Sequence, residues 1–252
     1  MVRQVQLAYQ TSPEVDAEAG RGAVALVPTG AVEQHGPHLP LGTDFLIARA
    51  IAEEVARSSD AVLVAEPLAY GCSWHHQTFP GTVSLSPRTY CAVVEDVCTS
   101  LAASGLRPLL LNGHGGNRAP LQVALANLAA AGVRATAVTY FELLRERARE
   151  LLPDFETAAG HACALETSIV LHLAPEAVRA DAIPAGGTPP TWPDPHMFAA
   201  PEAAVVRSFA EINPTGVIGR PELASREIGK ELFAHAVLRC RQIVERTRSS
   251  GQ

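Results

Sequence analysis

Residues 107 to 117 read RPLLLNGHGGN. The leucine run from Leu109 to Leu111 shows no polar alternation, which is the pattern of a strand buried on both faces of a sheet. It breaks at Asn112 into a glycine-rich loop around a single histidine, His114. Working outward, AVALVP (23 to 28), AVLVAEP (61 to 67) and RATAVTY (134 to 140) read as three more strands. Stretches of helical spacing separate them. Leu46, Ala50, Ile51 and Val55 share one face of a helix over 45 to 57. Ser86 and Pro87 form an N-cap and first position for a helix that Gly105 stops, and another helix runs from about Pro120 to Ala131, before Gly132. Helical patterns then cover roughly 141 to 152, 163 to 173 and 221 to 247. Strands alternating with helices predict an α/β fold with a mostly parallel sheet covered on both faces.

The 252 residues, 47% hydrophobic and 18% charged, suffice for one large core. No repeat or break in composition divides the chain, so residues 1–252 are expected to form a single domain. Residues 1–20 read as an N-terminal extension. Residues 182–201 carry six prolines and read as a proline-rich loop on the surface. A net charge of −6 without a basic stripe argues against nucleic acid. No window approaches the ~18 apolar residues of a membrane span. Early acids and no apolar run argue against a signal peptide, so a cytoplasmic location is expected. The five cysteines match no zinc spacing and read as reduced thiols. Cys91 and Cys98 suit the core face of one helix. Cys72 and Cys163 lie near the suspected site, but no base stands at a telling distance for a nucleophile.

In an open parallel sheet, ligands gather beyond the carboxyl ends of the strands. The segment GAVEQHGPHLPLGTD, residues 30 to 44, follows the first strand and is too broken by glycine and proline for a regular element. It brings Glu33, His35 and Asp44 to the edge where His114 also arrives. Carboxylates and imidazoles converging there suit a divalent ion. A third segment, GHACALETS (160 to 168), carries His161 and Glu166. If it turns helical near Cys163, both point into one cleft, and burying Glu166 beside SIVLHLA needs compensation of the kind a metal gives. Each residue alone has an ordinary reading: His35 as a turn histidine, Glu166 as a first-turn acid favoured by the helix dipole, LNGHGGN as a phosphate loop. The loop lacks the lysine and the glycine spacing of the common nucleotide motifs. The conjunction of three segments carries the metal reading. His172 is expected to be buried in a helix and His235 exposed, while His38, His75, His76 and His196 remain open.

EQHGPHLPLGTD, FPGT (79 to 82), NGHGGN, HACALETS and GVIGRPELASREIG (216 to 229), in that order, resemble the creatininase family of metal-dependent amidohydrolases. The resemblance covers about residues 22 to 245. It implies a three-layer α/β/α domain, a homohexamer, and two divalent ions (zinc, manganese or iron). Carried across, Glu33 and His114 would hold one ion, His35 and Glu166 the other, and Asp44 would bridge them. Creatininase proper has NGHYEN here, so its extra glutamate ligand is Gly116 in this chain, and its tryptophan ahead of the histidine segment has no counterpart in DFETAAGH. Creatinine is therefore not the expected substrate. NGHGGN and ETSIVLHLAPEAVR look more like the branch that trims the mycofactocin precursor peptide.

The expected activity is hydrolysis of an amide or cyclic-amide C–N bond, with a small molecule or short peptide as substrate. The alternative within the family is a mycofactocin-precursor-type peptidase. His161 is the expected general acid/base, giving a proton to the leaving nitrogen. Backbone N–H groups near Gly81 are expected to face the developing oxyanion, and Gly116 to shape the substrate pocket. A non-catalytic metal- or ligand-binding subunit on the same fold is the rival from another class.

Overall fold

The computed structural model describes residues 4–185 and 207–249. Four strands, β1 (Val24–Thr29), β2 (Val62–Val64), β3 (Arg107–Asn112) and β4 (Thr136–Thr139), form one parallel sheet in the order β2-β1-β3-β4. The leucine strand pairs with β1 along its whole length, from Val24↔Arg107 to Thr29↔Asn112. β2 is shorter than its apolar run. After Val64 the ladder ends with Ala65 N–H on the Leu26 carbonyl, and Pro67 has no N–H to continue it.

Parallel neighbours need long crossovers, and helices supply them. They are α1 (Ser12–Gly20), α2 (Thr43–Arg57), α3 (Pro87–Ala103), α4 (Arg118–Ala130), α5 (Tyr140–Leu143), α6 (Arg145–Leu151), α7 (Phe155–Ala158), α8 (Ala164–Leu173), α9 (Phe209–Ile212) and α10 (Arg226–Ser249). The Ser86 hydroxyl caps α3 by accepting from Thr89 N–H, and Pro87 is its first residue, as the sequence predicts. The pattern over 141 to 152 divides at Leu144 into α5 and α6. α10 begins later than expected. Pro221–Leu223 make a separate 3-10 turn, and Ser225 Oγ then accepts from Ile228 N–H.

The strands alternate their side chains between two cores. Val24, Leu26, Leu109 and Leu111 pack with α2, α8 and α10. Ala25, Val27, Leu63 and Leu110 pack with α3 and α4, and α1 adds Val15 and Ala19 at the margin. The result is the three-layer α/β/α arrangement. Cys98 is buried on α3, but Cys91 is only half-buried. Two histidine readings are corrected: His172 and His235 are both half-buried. His172 packs its ring against Phe233 of α10, which leaves it only partly covered. Among the described residues no helix is long and apolar enough to cross a membrane. Of the proline-rich stretch only 182 to 185 fall within the described residues.

Because every strand points the same way, the loops after β1, β2, β3 and β4 leave from one edge. That edge receives the chemistry.

Candidate metal centre

Asparagines stitch the strand-end loops together. Asn112, the last residue of β3, accepts from His114 N–H through Oδ1 (3.1 Å) and donates from Nδ2 to the His114 carbonyl (2.7 Å). Asn117 Nδ2 donates to the Gly30 carbonyl (3.0 Å), and its Oδ1 accepts from Cys72 N–H (2.9 Å), so the loops after β1, β2 and β3 are tied at one point. α2 starts two residues before its predicted boundary, which places Asp44 in its first turn. A Cβ on Gly113 would fall 2.3 Å from the Asp44 carbonyl oxygen, so the β3 loop meets α2 backbone to backbone where only glycine fits. Glu166 is the third residue of α8. Its Oε2 accepts from Cys163 N–H at 3.4 Å. His161 precedes that helix and pairs with Ile218 through two backbone bonds of 2.8 and 2.9 Å, which brings GVIG alongside.

Among the described residues four groups have three ligand atoms close enough to share one ion, and two overlapping ones are built wholly from the five expected ligands. They are Glu33, Asp44 and His114, and His35, Asp44 and Glu166. Asp44 belongs to both. Its Oδ1 lies 3.1 Å from His35 Nε2, and its Oδ2 lies 3.0 Å from His114 Nδ1. Glu33 Oε1 is 3.3 Å from His114 Nδ1, and Glu166 Oε1 is 3.9 Å from His35 Nε2. All five residues are buried.

The hydrogen bonds on the far side of each ring decide which nitrogen faces the carboxylates. His35 Nδ1 donates to the Glu33 carbonyl (3.2 Å), and His114 Nε2 donates to the Cys72 carbonyl (3.1 Å). A carbonyl only accepts, so each neutral ring turns a lone pair toward the carboxylates. Among the described residues Glu33 Oε2 and Asp44 Oδ2 have no hydrogen-bond partner. Among the described residues the three carboxylates pair with imidazole side chains and with no lysine or arginine. Buried anions opposite nitrogen lone pairs require a cation between them, so the donor set fits a divalent metal. Without metal, protons fill the role. Burial alone would lower His35, but Asp44, Glu166 and Glu33 outweigh it and lift it to about 9. His114 rises well above its usual value against the same burial penalty, lifted first by Glu33. Burial raises Glu166 to about 7, against the pull of His35.

Of the sequence-predicted residues, His161 joins the group: its Nδ1 is 3.8 Å from Glu33 Oε1, and its Nε2 donates to the Gln34 carbonyl (2.8 Å). Burial holds it well below the usual histidine range, with His35 adding to the effect. Gly81 is exposed at φ +87 beside Leu41. Its neighbours Thr82 and Val83 bond the backbone of Gln34 and Val32, so FPGT lies along the first loop while Gly81 itself faces outward. A Cβ on Gly116 would stand 2.2 Å from the Cys72 carbonyl oxygen, 2.5 Å from His114 Nε2 and 2.9 Å from His75 Cε1. Neighbouring groups thus close off the space a side chain at 116 would need. His38 bonds Thr167 (2.8 Å) and lies outside the groups. Burial pushes the Cys72 and Cys163 thiols up to about 11 and about 12, which leaves neither fit as a nucleophile.

The sequence reading missed the role of the β2 loop. Trp74–His76 form a 3-10 turn that sets His76 Nε2 3.4 Å from Glu33 Oε1 and stacks His75 over His114 at 5.6 Å. Phe209, at the start of α9, packs its ring against His75, His76 and His161 with centroids 5.2, 4.1 and 5.2 Å away. Two adjacent histidines ahead of FPGT, on a loop leaving the same sheet edge, were the available signal.

Residues 8–244 match the family model described as Creatininase: Creatinine amidohydrolase. The chain is 35% identical over 235 residues to the mycofactocin precursor peptide peptidase of Mycolicibacterium smegmatis, covering 88% of this chain and 85% of that one. It is 31% identical over 248 residues to the creatinine amidohydrolase of Pseudomonas putida, covering 91% and 92%. A solved structure of a mutant creatininase of the Zn-Zn type superposes with a TM-score of 0.80 at 27% identity, covering 97% of this chain and 98% of the other.

Proposed function

Since the chain belongs to the creatininase family of C–N hydrolases, we propose that it is a dinuclear-metal amidohydrolase with Asp44 shared between two ions. Glu33 and His114 would complete one site, and His35 and Glu166 the other. The observation that carries this reading is that the two oxygens of Asp44 face different histidines, at 3.1 and 3.0 Å, in different ligand groups. Divalent ions held there would acidify water and polarise a carbonyl.

The chain's own residues then move the proton. His161 has committed Nε2–H to the Gln34 carbonyl, so Nδ1 meets the site as a lone pair. It takes a proton from the attacking water and passes that same proton to the leaving nitrogen as the C–N bond breaks, which makes it base before acid. Burial keeps the ring neutral, so the Nδ1 lone pair is free before the first of these steps. His161 also argues against a non-catalytic subunit, which would need the ligands but no proton carrier.

A peptide-trimming substrate is favoured over creatinine. The mycofactocin-type relative is the more similar in sequence, and the space at Gly116 is filled by Cys72 and His75. A cytoplasmic homohexamer is the assembly that the family resemblance supports. The test assays chelator-stripped protein, before and after zinc or manganese is restored, on short peptides, simple amides and creatinine. Metal-restored cleavage of a peptide or amide, exceeding that of creatinine, is expected. C–N hydrolysis unaffected by stripping would refute the reading.

A further inference from the structure

His76 belongs to the histidine group but not to the five proposed ligands, and its surroundings fix its proton. The Gln34 amide is oriented by two backbone groups. Its Oε1 accepts from Gly36 N–H (2.9 Å), and its Nε2 donates to the Gly216 carbonyl (3.2 Å). Turning the amide over would set oxygen against a carbonyl and NH₂ against an N–H, losing both bonds. The same Nε2 lies 2.8 Å from His76 Nδ1, which must therefore accept. A neutral imidazole carries one proton, so it sits on His76 Nε2, the atom 3.4 Å from Glu33 Oε1.

Two other ring nitrogens approach that oxygen, His114 Nδ1 at 3.3 Å and His161 Nδ1 at 3.8 Å. In the neutral form that binds metal both would come as lone pairs, because their Nε2 protons are given to the carbonyls of Cys72 and Gln34. Among these three imidazoles in their neutral forms, His76 therefore brings the N–H to Glu33 Oε1. Gln34 sets two tautomers in opposite senses: its side chain turns the His76 proton inward, and its carbonyl turns the His161 proton outward.

We propose that His76, locked by Gln34 as its Nε2–H tautomer, is a positioning residue whose N–H orients the Glu33 carboxylate for the metal. Among the described residues Glu33 Oε2 is buried without a hydrogen-bond partner, so no other donor there fixes the carboxylate. The proposal rests on the reading of Glu33 as a metal ligand. It also removes His76 from the possible Glu33–His75–His76 ligand group, because binding through Nε2 would need the opposite tautomer.

The test has two arms on the full chain. Two-bond ¹H–¹⁵N correlation spectra of metal-free, histidine-labelled protein report the tautomer, with His76→Gln identifying the resonance. The Nε2–H pattern is expected for His76, switching to Nδ1–H in Gln34→Glu, whose carboxylate can only accept. An Nδ1–H pattern in the wild type overturns the lock. In the second arm, zinc affinity is measured by chelator competition. Donors to ligating carboxylates are typically worth ~10–100-fold in affinity, so His76→Phe, which keeps a ring against Phe209 and His161, is expected to lose about that much. His76→Gln keeps an N–H donor and should recover most of it. Wild-type affinity in the Phe variant, or a Gln variant as weak as Phe, overturns the positioning role. Failure of the wild type to bind zinc overturns it together with the ligand reading of Glu33, while the spectra still decide the tautomer separately.

Discussion

Gly115 and Gly116 are neighbours in one 3-10 turn, yet alanine should affect them very differently. Nothing lies within 4 Å of a Cβ built on Gly115, whereas one on Gly116 meets the Cys72 carbonyl oxygen at 2.2 Å and His114 Nε2 at 2.5 Å. To restore even a tight contact, that carbonyl must retreat by close to 1 Å. It cannot do so freely, because Asn117 holds Cys72 N–H and the carbonyl itself takes the His114 proton. Overpacking of this kind costs ~1–3 kcal/mol, and loss of the His114–Cys72 bond, with Ser73 Oγ (3.2 Å) as the ring's other partner, costs ~0.5–1.5 kcal/mol more. A loss of about 3 kcal/mol is a reasonable centre, which for a chain of this size lowers Tm by roughly 6–12 °C. Gly115→Ala should stay within ~0.5 kcal/mol of wild type. Thermal melts of both variants, with and without zinc, make the comparison, and zinc titration follows His114. Gly116→Ala should also bind metal more weakly, since the Cys72 bond orients the His114 ring. If the two variants melt together and bind zinc equally, the packing around Gly116 is not as described.

Other expectations follow from the same geometry. In metal-free protein the proton on His35 is stabilised up to about 9, so its contribution is fully present below about 6.5 and is lost as pH rises through 9. Chelated protein should lose on the order of 3 kcal/mol over that window, zinc-saturated protein much less, and an equal fall in both would refute the exchange of proton for metal. His161→Ala should retain bound metal yet lose ~10²–10⁴ in turnover on an amide, with a smaller loss on an activated ester whose leaving group needs no proton. Equal losses on both substrates would assign His161 to substrate positioning instead. Creatinine turnover should be weak or absent beside that of peptides or simple amides. Efficient creatinine hydrolysis would contradict the reading of Gly116 and of the missing tryptophan.

The strands were legible because burial on both faces leaves a continuous apolar run, and RPLLLN reproduces its strand residue for residue. Boundaries failed where local chemistry overrode the apolar pattern: Pro67 ended β2 early, and Ser225 delayed α10. Glu33, His35, Asp44, His114 and Glu166 could be grouped because parallel strands deliver their loops to one edge. The loop after β2 was opaque. His75 and His76 sit in an irregular connection whose path depends on contacts from distant parts of the chain, among them Asn117 on Cys72, Thr82 on Gln34 and Phe209 on the rings. Nothing in local sequence marks those contacts. The tautomers were likewise invisible, since a carbonyl from Gln34 or Cys72 sets them only once the loops have met.

The central claim is that Asp44 joins two ions. Its most direct test is an anomalous-difference map at the zinc edge from zinc-loaded crystals. Two peaks per chain, ~3.5–4 Å apart as in two-metal sites, with one oxygen of Asp44 on each, are expected. A single peak, or two peaks with Asp44 touching only one, would contradict the claim.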